Sequence, residues 1–325
     1  MIITSIRYRY EALMLETRLL NRITQKKAQL DMLRPLSPSI LTRLNETLTL
    51  EWIYNSNAIE GSTLTLQETR LILETGLTIG GKSLREHFEV TNHREAIAYV
   101  ENLVGEEGQI TPYHVRLIHA LVLKGIDDEN AGRYRETPVR IAGATHTPPE
   151  SWEISRLMDE WGAWLIAAQE RDNSVNIAAE AHHRLVNIHP FVDGNGRTAR
   201  LIMNLLLIKD GYPPSVIERV NRQQYYRVLA QADEGNLRPL VNFVGRAVER
   251  SLTLTLEAAT PRSAPPPTDE QWIPLSEAAQ DSPYTKDYLS LLARKGRLEA
   301  LKRGRNRYTT RKAVEKYRRE VKESE

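Results

Sequence analysis

Twelve consecutive residues, His189-Pro190-Phe191-Val192-Asp193-Gly194-Asn195-Gly196-Arg197-Thr198-Ala199-Arg200, depart from ordinary helix design in a way that points to chemistry. Gly194, Asn195 and Gly196 all tolerate left-handed backbone angles, so their N–H groups can turn inward as a concave nest at the start of a helix. Such a nest holds anions, phosphate most readily. Arg197 and Arg200 stand three apart on one face at the helix opening, where the positive end of the helix dipole disfavours each by about 0.3 to 1 kcal/mol. Their placement implies something negative between them. A polyphosphate supplies that charge, and Asp193, one residue before the nest, is placed to bind the Mg²⁺ that accompanies it. His189 ends the preceding helix, where a neutral imidazole can take the proton of an attacking hydroxyl during phosphoryl or nucleotidyl transfer. Each feature alone has a plainer account, since a helix-end histidine is commonly structural and Gly-Asn-Gly is commonly a turn. It is the combination that describes a site.

The elements that must position this segment read as helix after helix. Thr111-Pro112 is an N-cap and first-turn pair followed by Ile118, Leu121 and Val122 at helical spacing. Ile154, Leu157, Met158, Trp161, Leu165 and Ala168 form one apolar stripe, as do Ile177, Ala178, Ala181, Leu185 and Ile188 before Pro190 stops that helix. Leu201, Ile202, Leu205 and Ile208 continue a further helix to a Gly211 cap. The one sheet element expected in this part is Val139 to His146, a short hairpin around Gly143. The pattern predicts a mainly α chain and argues against a doubly wound sheet.

Composition bounds the rest. The chain has 325 residues, 41% hydrophobic and 26% charged, which is globular, and it has no cysteine, so disulfides, thiol nucleophiles and Cys-ligated zinc are excluded. The start, MIITSIRYRY, lacks the apolar core of a signal peptide, and no 18-residue apolar run is present, so a soluble cytoplasmic protein is expected. Ala259 to Thr268 carries four prolines in ten residues and reads as a stiff linker. The predicted organisation is a helical region over 1–110, a core over 111–258, the linker over 259–268 and a small domain over 269–325. The whole chain is net +2, yet 12 basic and 2 acidic residues lie between Arg294 and Arg319.

The twelve-residue segment fills every fixed position of H-x-F-x-[D/E]-G-N-G-R-x-x-R, and in this it resembles the Fic (Fic/Doc-like) nucleotidyltransferases, over roughly Ser56 to Arg250. The resemblance implies the all-helical Fic bundle with a short β-hairpin flap. It implies that His189 deprotonates the target hydroxyl, that Phe191 anchors the loop, that Asp193 coordinates Mg²⁺, that Gly194, Asn195 and Gly196 hold the phosphates of ATP, and that Arg197 and Arg200 grip its β and γ phosphates. Gly132-Arg133-Tyr134-Arg135, then Val139, Ile141 and Gly143 and on to Pro149, looks like the flap that aligns an extended target segment by strand addition. Tyr225 and Tyr226 resemble the family's aromatic pair near the nucleotide base, with helix core as the alternative. Ser56-Asn57-Ala58-Ile59-Glu60-Gly61 is similar to the family's inhibitory motif, [S/T]-x-x-x-E-[G/N]. Ser56 and Glu60 are four apart and share a helical face, so Glu60 can project to Arg200.

The expected activity is therefore transfer of AMP from ATP to a Ser, Thr or Tyr hydroxyl of an unidentified target protein or of the chain itself, restrained by Glu60. Removal of AMP, another nucleotidyl transfer and homodimer formation stay open at this stage. Leu275 to Ala279, Tyr284 to Arg294 and a Leu298 to Thr310 hairpin resemble a winged helix-turn-helix of the MerR or excisionase sort, whose Arg294, Lys295, Arg297, Lys302, Arg303, Arg305, Arg307, Arg311 and Lys312 suit duplex phosphates. A DNA-binding regulator that uses nucleotide as a signal is thus the second reading. A metal-dependent hydrolase built on His182, His183, His189 and Asp193 is the third, weakened because adjacent helical residues point about 100° apart.

Overall fold

The computed structural model describes residues 15–141, 143, 146–170, 172–260, 272–303 and 306–322. They fall into two compact units, divided after Thr260. The first is all helical: α1 (Thr17–Met32), α2 (Pro38–Glu60), α3 (Leu66–Thr75), α4 (Leu84–Gly105), α5 (Pro112–Leu123), α6 (Ile154–Gln169), α7 (Ser174–Ile188), α8 (Asn195–Lys209), α9 (Arg222–Asp233) and α10 (Arg238–Ala259). The expected helix signals act as read: Thr111 is the N-cap of α5 with Pro112 in its first turn, and Asp210 and a left-handed Gly211 (φ +76°) close α8.

The α7 and α8 pair forms the centre, with α4, α5 and α2 packed on α8 and α6, α9 and α10 on α7. Of the α8 side chains, Leu201, Ile202, Met203 and Leu205 are fully buried, and so are Arg197 and Arg200 at 2% exposure each. Buried guanidinium groups require compensating partners, and these dictate much of what surrounds the site. On the far side α1 lies along α10, where a Cβ on Gly245 would collide with Leu15 and come 3.1 Å from Leu19 Cδ2.

Part of the hairpin expected over 139–146 lies outside the described residues. Among its described residues no strand pairing is present, and Gly143 makes an isolated left-handed turn at φ +78°. Of its described residues, Val139, Ile141 and His146 are half-buried and Arg140 and Gly143 are exposed. Ala142, Ala144 and Thr145 lie outside the described residues.

The second unit holds β1 (Ile273–Pro274), α11 (Leu275–Gln280), α12 (Lys286–Arg294), β2 (Ala300–Arg303), β3 (Asn306–Thr309) and α13 (Arg311–Lys322). Its antiparallel sheet has the order β1-β3-β2, with Leu301 opposite Tyr308 and Lys302 opposite Arg307. Leu275, Leu289, Leu292, Leu298, Val314 and Tyr317 form its separate core. The expected two helices and hairpin are thus joined by an edge strand and a closing helix. The hairpin turn at Gly304 and Arg305, the linker from 261 to 268 and the opening segment MIITSIRYRY lie outside the described residues, whereas Ala259 and Thr260 still end α10. No described helix is long and apolar enough to cross a membrane.

Candidate active site

His189 caps α7 in a left-handed conformation (φ +49°, ψ +59°), the one non-glycine positive φ among the described residues. That strain is held by Arg135, which is 3% exposed and donates to His189 O (2.9 Å), Thr137 O (3.0 Å) and Pro149 O (2.5 Å), while its own N–H bonds Pro190 O (2.9 Å). The imidazole Nδ1 faces Val186 O at 3.3 Å, so Nδ1 carries the proton and Nε2 is left as the acceptor. Burial lowers the His189 pKa to about 4, against the opposing pull of the Val186 carbonyl. At neutral pH the ring is uncharged.

Phe191 is fully buried and stacks on His119 with ring centroids 3.6 Å apart and planes 3° apart. His119 is a residue the sequence did not single out. Its Nδ1 accepts from Gly132 N–H (2.9 Å), which leaves Nε2 to donate to Asp193 O (2.9 Å), and burial lowers its pKa to about 4. One neutral ring thereby ties the root of the flap to the turn before α8. The far end of the flap is tied by His146, whose Nε2 donates to Asn187 O (2.9 Å).

Gly194 turns the chain at φ +75°, and the first intrahelical bond of α8 runs from Thr198 N–H to Gly194 O (2.9 Å). The N–H groups of Asn195, Gly196 and Arg197 precede that bond and so have no intrahelical acceptor. One expected phosphate donor, the Gly194 N–H, is engaged within the turn, and the Asn195 side chain has a structural task. The Gly194 N–H is already bound by Asp193 Oδ1 (2.6 Å), and the Asn195 side chain brackets Phe191, accepting from its N–H (3.0 Å) and donating to its carbonyl (2.9 Å). Asn195 can offer an anion only its main-chain N–H; its side chain builds the turn.

Glu60 is the last residue of α2, which Gly61 ends with a left-handed cap at φ +112°. A carboxylate is disfavoured at a helix C-terminus, and here Arg200 compensates it. Arg200 Nη2 donates to Glu60 Oε1 (2.8 Å) and Ser56 O (2.8 Å), and Nε donates to Ser56 Oγ (3.0 Å). The Glu60 carboxylate lies over Gly196, where any Cβ would overlap it. Among the described residues, the buried Arg200 Nη1 and Arg197 Nε have no hydrogen-bond partner. Unsatisfied cationic donors of this kind suit an incoming anion.

Asp193 bonds Arg85 through Oδ2, and its Oδ1 lies 3.4 Å from Arg197 Nη2. Burial pushes its pKa up, but Arg197, the Gly194 N–H and Arg85 outweigh this and hold it below the usual carboxylate range. Neither Arg85 nor its partner Glu89 was singled out from sequence; their signal is two opposite charges four apart on α4, a common surface pattern.

Tyr225 is 1% exposed, bonds His182 Nε2 through its hydroxyl (2.8 Å) and packs on Phe243, so it is core, lying against the buried Arg200 and Glu60; burial raises its pKa to about 12, against the opposing pull of Arg200. Tyr226 stays partly open beside α2, its hydroxyl donating to Ile59 O (3.4 Å). Val139 and Ile141 are half-buried and Gly143 exposed along the unpaired flap. His183 donates to Asp233 (3.0 Å) while His182 faces Tyr225, so the adjacent histidines serve different partners.

Residues 109–207, which span the flap, α7, the turn and most of α8, match the Fic/DOC family. The chain is 40% identical over 255 residues to a Culex quinquefasciatus protein named protein adenylyltransferase Fic, covering 78% of this chain and 50% of that one. It thus spans about half the length of the curated relatives it matches. A Fic domain containing signaling protein from Bacteroides thetaiotaomicron superposes with a TM-score of 0.69 at 32% identity, over 73% of this chain and 96% of that one. Fic-1 from C. elegans gives 0.68 at 33%, over 74% and 72%. A helical frame shared at that identity over nearly the whole of a solved relative, with the cradle inside the matched segment, means that the chain belongs to the Fic/DOC family.

Proposed function

We propose that the chain is a protein adenylyltransferase that moves AMP from ATP to a hydroxyl of a protein target and restrains itself through Glu60. The observation that carries the reading is the Arg200 guanidinium, buried beside the open amides of Gly196 and Arg197 and bonded to a carboxylate of the same chain. In this reading the triphosphate lies along those amides with Arg197 and Arg200 on its outer phosphates, and His189 Nε2 takes the proton of the incoming hydroxyl. The hydroxyl oxygen bonds to the α phosphorus as the bond to the bridging oxygen breaks, and pyrophosphate leaves. While Glu60 holds Arg200, ATP lacks that grip and binds in an unproductive pose. The curated relatives' name supports the same activity.

The donor set fits Mg²⁺. No group of three or more His, Cys, Asp or Glu that could hold a metal is present among the described residues, and Asp193 offers a single carboxylate beside the cradle, which suits an ion that draws most of its ligands from phosphate and water. When bound, it would neutralise phosphate charge there.

Mass spectrometry after incubation with ATP and Mg²⁺ tests the proposal. Glu60→Gly is expected to raise self-modification by on the order of 10- to 100-fold through the freed Arg200, with a mass increase of one AMP, and His189→Ala in that background to abolish it. An adduct of another mass would assign another donor. Loss of AMP from a modified substrate with the unaltered chain would favour removal, with Glu60 activating water.

A second reading concerns the C-terminal unit alone. Its α11, α12 and β2–β3 hairpin, with exposed Lys286, Arg294, Lys295, Arg297 and Lys302, support contact with duplex DNA.

A further inference from the structure

Arg85, in the first turn of α4, binds Asp193 Oδ2 through Nη2 and Glu89 Oε1 through Nε at 3.2 Å. Glu89 Oε1 in turn lies 3.1 Å from Arg197 Nη1, and Arg197 Nη2 lies 3.4 Å from Asp193 Oδ1. Four side chains thus close a ring in which acid and base alternate. The ring has a fixed half and an accessible half: the Arg197 and Glu89 side chains are 3% and 10% exposed, whereas those of Arg85 and Asp193 are 55% and 45% exposed. Arg85 is therefore the member that can leave without disturbing the core.

We propose that Arg85 is a resident cation that competes with the divalent metal for Asp193, so that metal and nucleotide load together only as Arg85 swings off the carboxylate. This rests on the nucleotidyl-transfer reading of the site. A guanidinium and a divalent ion on one carboxylate oxygen repel strongly at such separations, so the two occupants exclude one another. A hard ion bound by carboxylate and phosphate oxygen has the stronger claim once nucleotide is present. Arg85 keeps Glu89 and solvent when displaced, and Glu89 continues to hold Arg197, so the phosphate-binding half of the ring survives the exchange. Arg85 and Glu60 act on different atoms, one on Asp193 and one on Arg200. The metal restraint therefore persists in a chain whose Glu60 has been removed.

The test is a Mn²⁺ titration of the full chain, followed by the electron paramagnetic resonance of free Mn²⁺, with a non-hydrolysable ATP analogue present and Glu60→Gly in every sample. Arg85→Gln is expected to bind Mn²⁺ about three- to tenfold more tightly than Arg85, with Arg85→Lys between them, as suits loss of one half-exposed competing charge. Affinity for the analogue without metal is expected to stay level. Equal Mn²⁺ affinity in all three overturns the proposal, because Arg85 would never have stood in the metal's way. Weaker binding of both Mn²⁺ and analogue in Arg85→Gln also overturns it and makes Arg85 a phosphate ligand. If Mn²⁺ binding is unchanged by Asp193→Asn, the assignment of Asp193 as metal ligand falls with it, whereas loss of binding there together with equal Arg85 and Arg85→Gln affinities removes the Arg85 proposal alone.

Discussion

At His189 the main chain and the ring have separate supports. Arg135 holds the left-handed backbone, and the Val186 carbonyl fixes which nitrogen is bare. Because burial lowers the pKa from 6.5 to about 4, the base form persists on acidification and is lost only as pH falls through about 4. The acid limb of kcat/KM for the Glu60→Gly chain is accordingly expected near pH 4; a limb near 6.5 would mean that the ring is solvated in the working enzyme. At this scale the sequence was legible wherever neighbours in the chain make the site: the nest glycines, the paired arginines and the histidine before them. Arg85, Glu89 and His119 escaped, and Arg135 was read only as part of the flap, because each also acts on a residue far along the chain, Arg85 on Asp193 across 108 positions. No local spacing records such a pairing.

Among the elements, α2 and α8 meet end to side: α2 stops at a left-handed glycine so that its final carboxylate lands on α8. The α1 and α10 contact depends on a missing side chain, since Gly245 admits Leu15 and Leu19. Gly245→Ala is expected to destabilise the first unit by about 1 to 3 kcal/mol through overpacking, and to lower Tm in a thermal melt by about 2 to 4 °C per kcal/mol with the active-site residues intact. An unchanged melt would mean that α1 shifts freely on α10. Helices whose apolar residues recur every three or four positions were readable from sequence, including α6 and α7. Alternation in residues 139–146 signals extended backbone, and among the described residues of that segment none is in a strand. Its two ends are instead pinned by Arg135 and His146, through main-chain carbonyls.

For the whole molecule, charge is divided between units: the net +2 conceals 14 basic and 10 acidic residues from Thr268 onward. If the second unit contacts duplex phosphates, the full chain should shift DNA in a gel with an affinity that falls steeply as salt rises, and replacing Lys295, Arg297 and Lys302 together with Ala should flatten that dependence by up to about three units of slope. Salt-independent retention would exclude phosphate contact. The divided composition and the proline-rich stretch made two units legible in advance, whereas the two-residue β1 with its proline is too short to leave a pattern. Glu60 and Arg200 belong to one polypeptide and lie 140 positions apart. The acid that occupies Arg200 is tethered, so it faces its partner at a fixed effective molarity, and dilution of the protein cannot relieve it. The restraint proposed for Glu60 is therefore expected to be the same in a dilute sample as in a concentrated one.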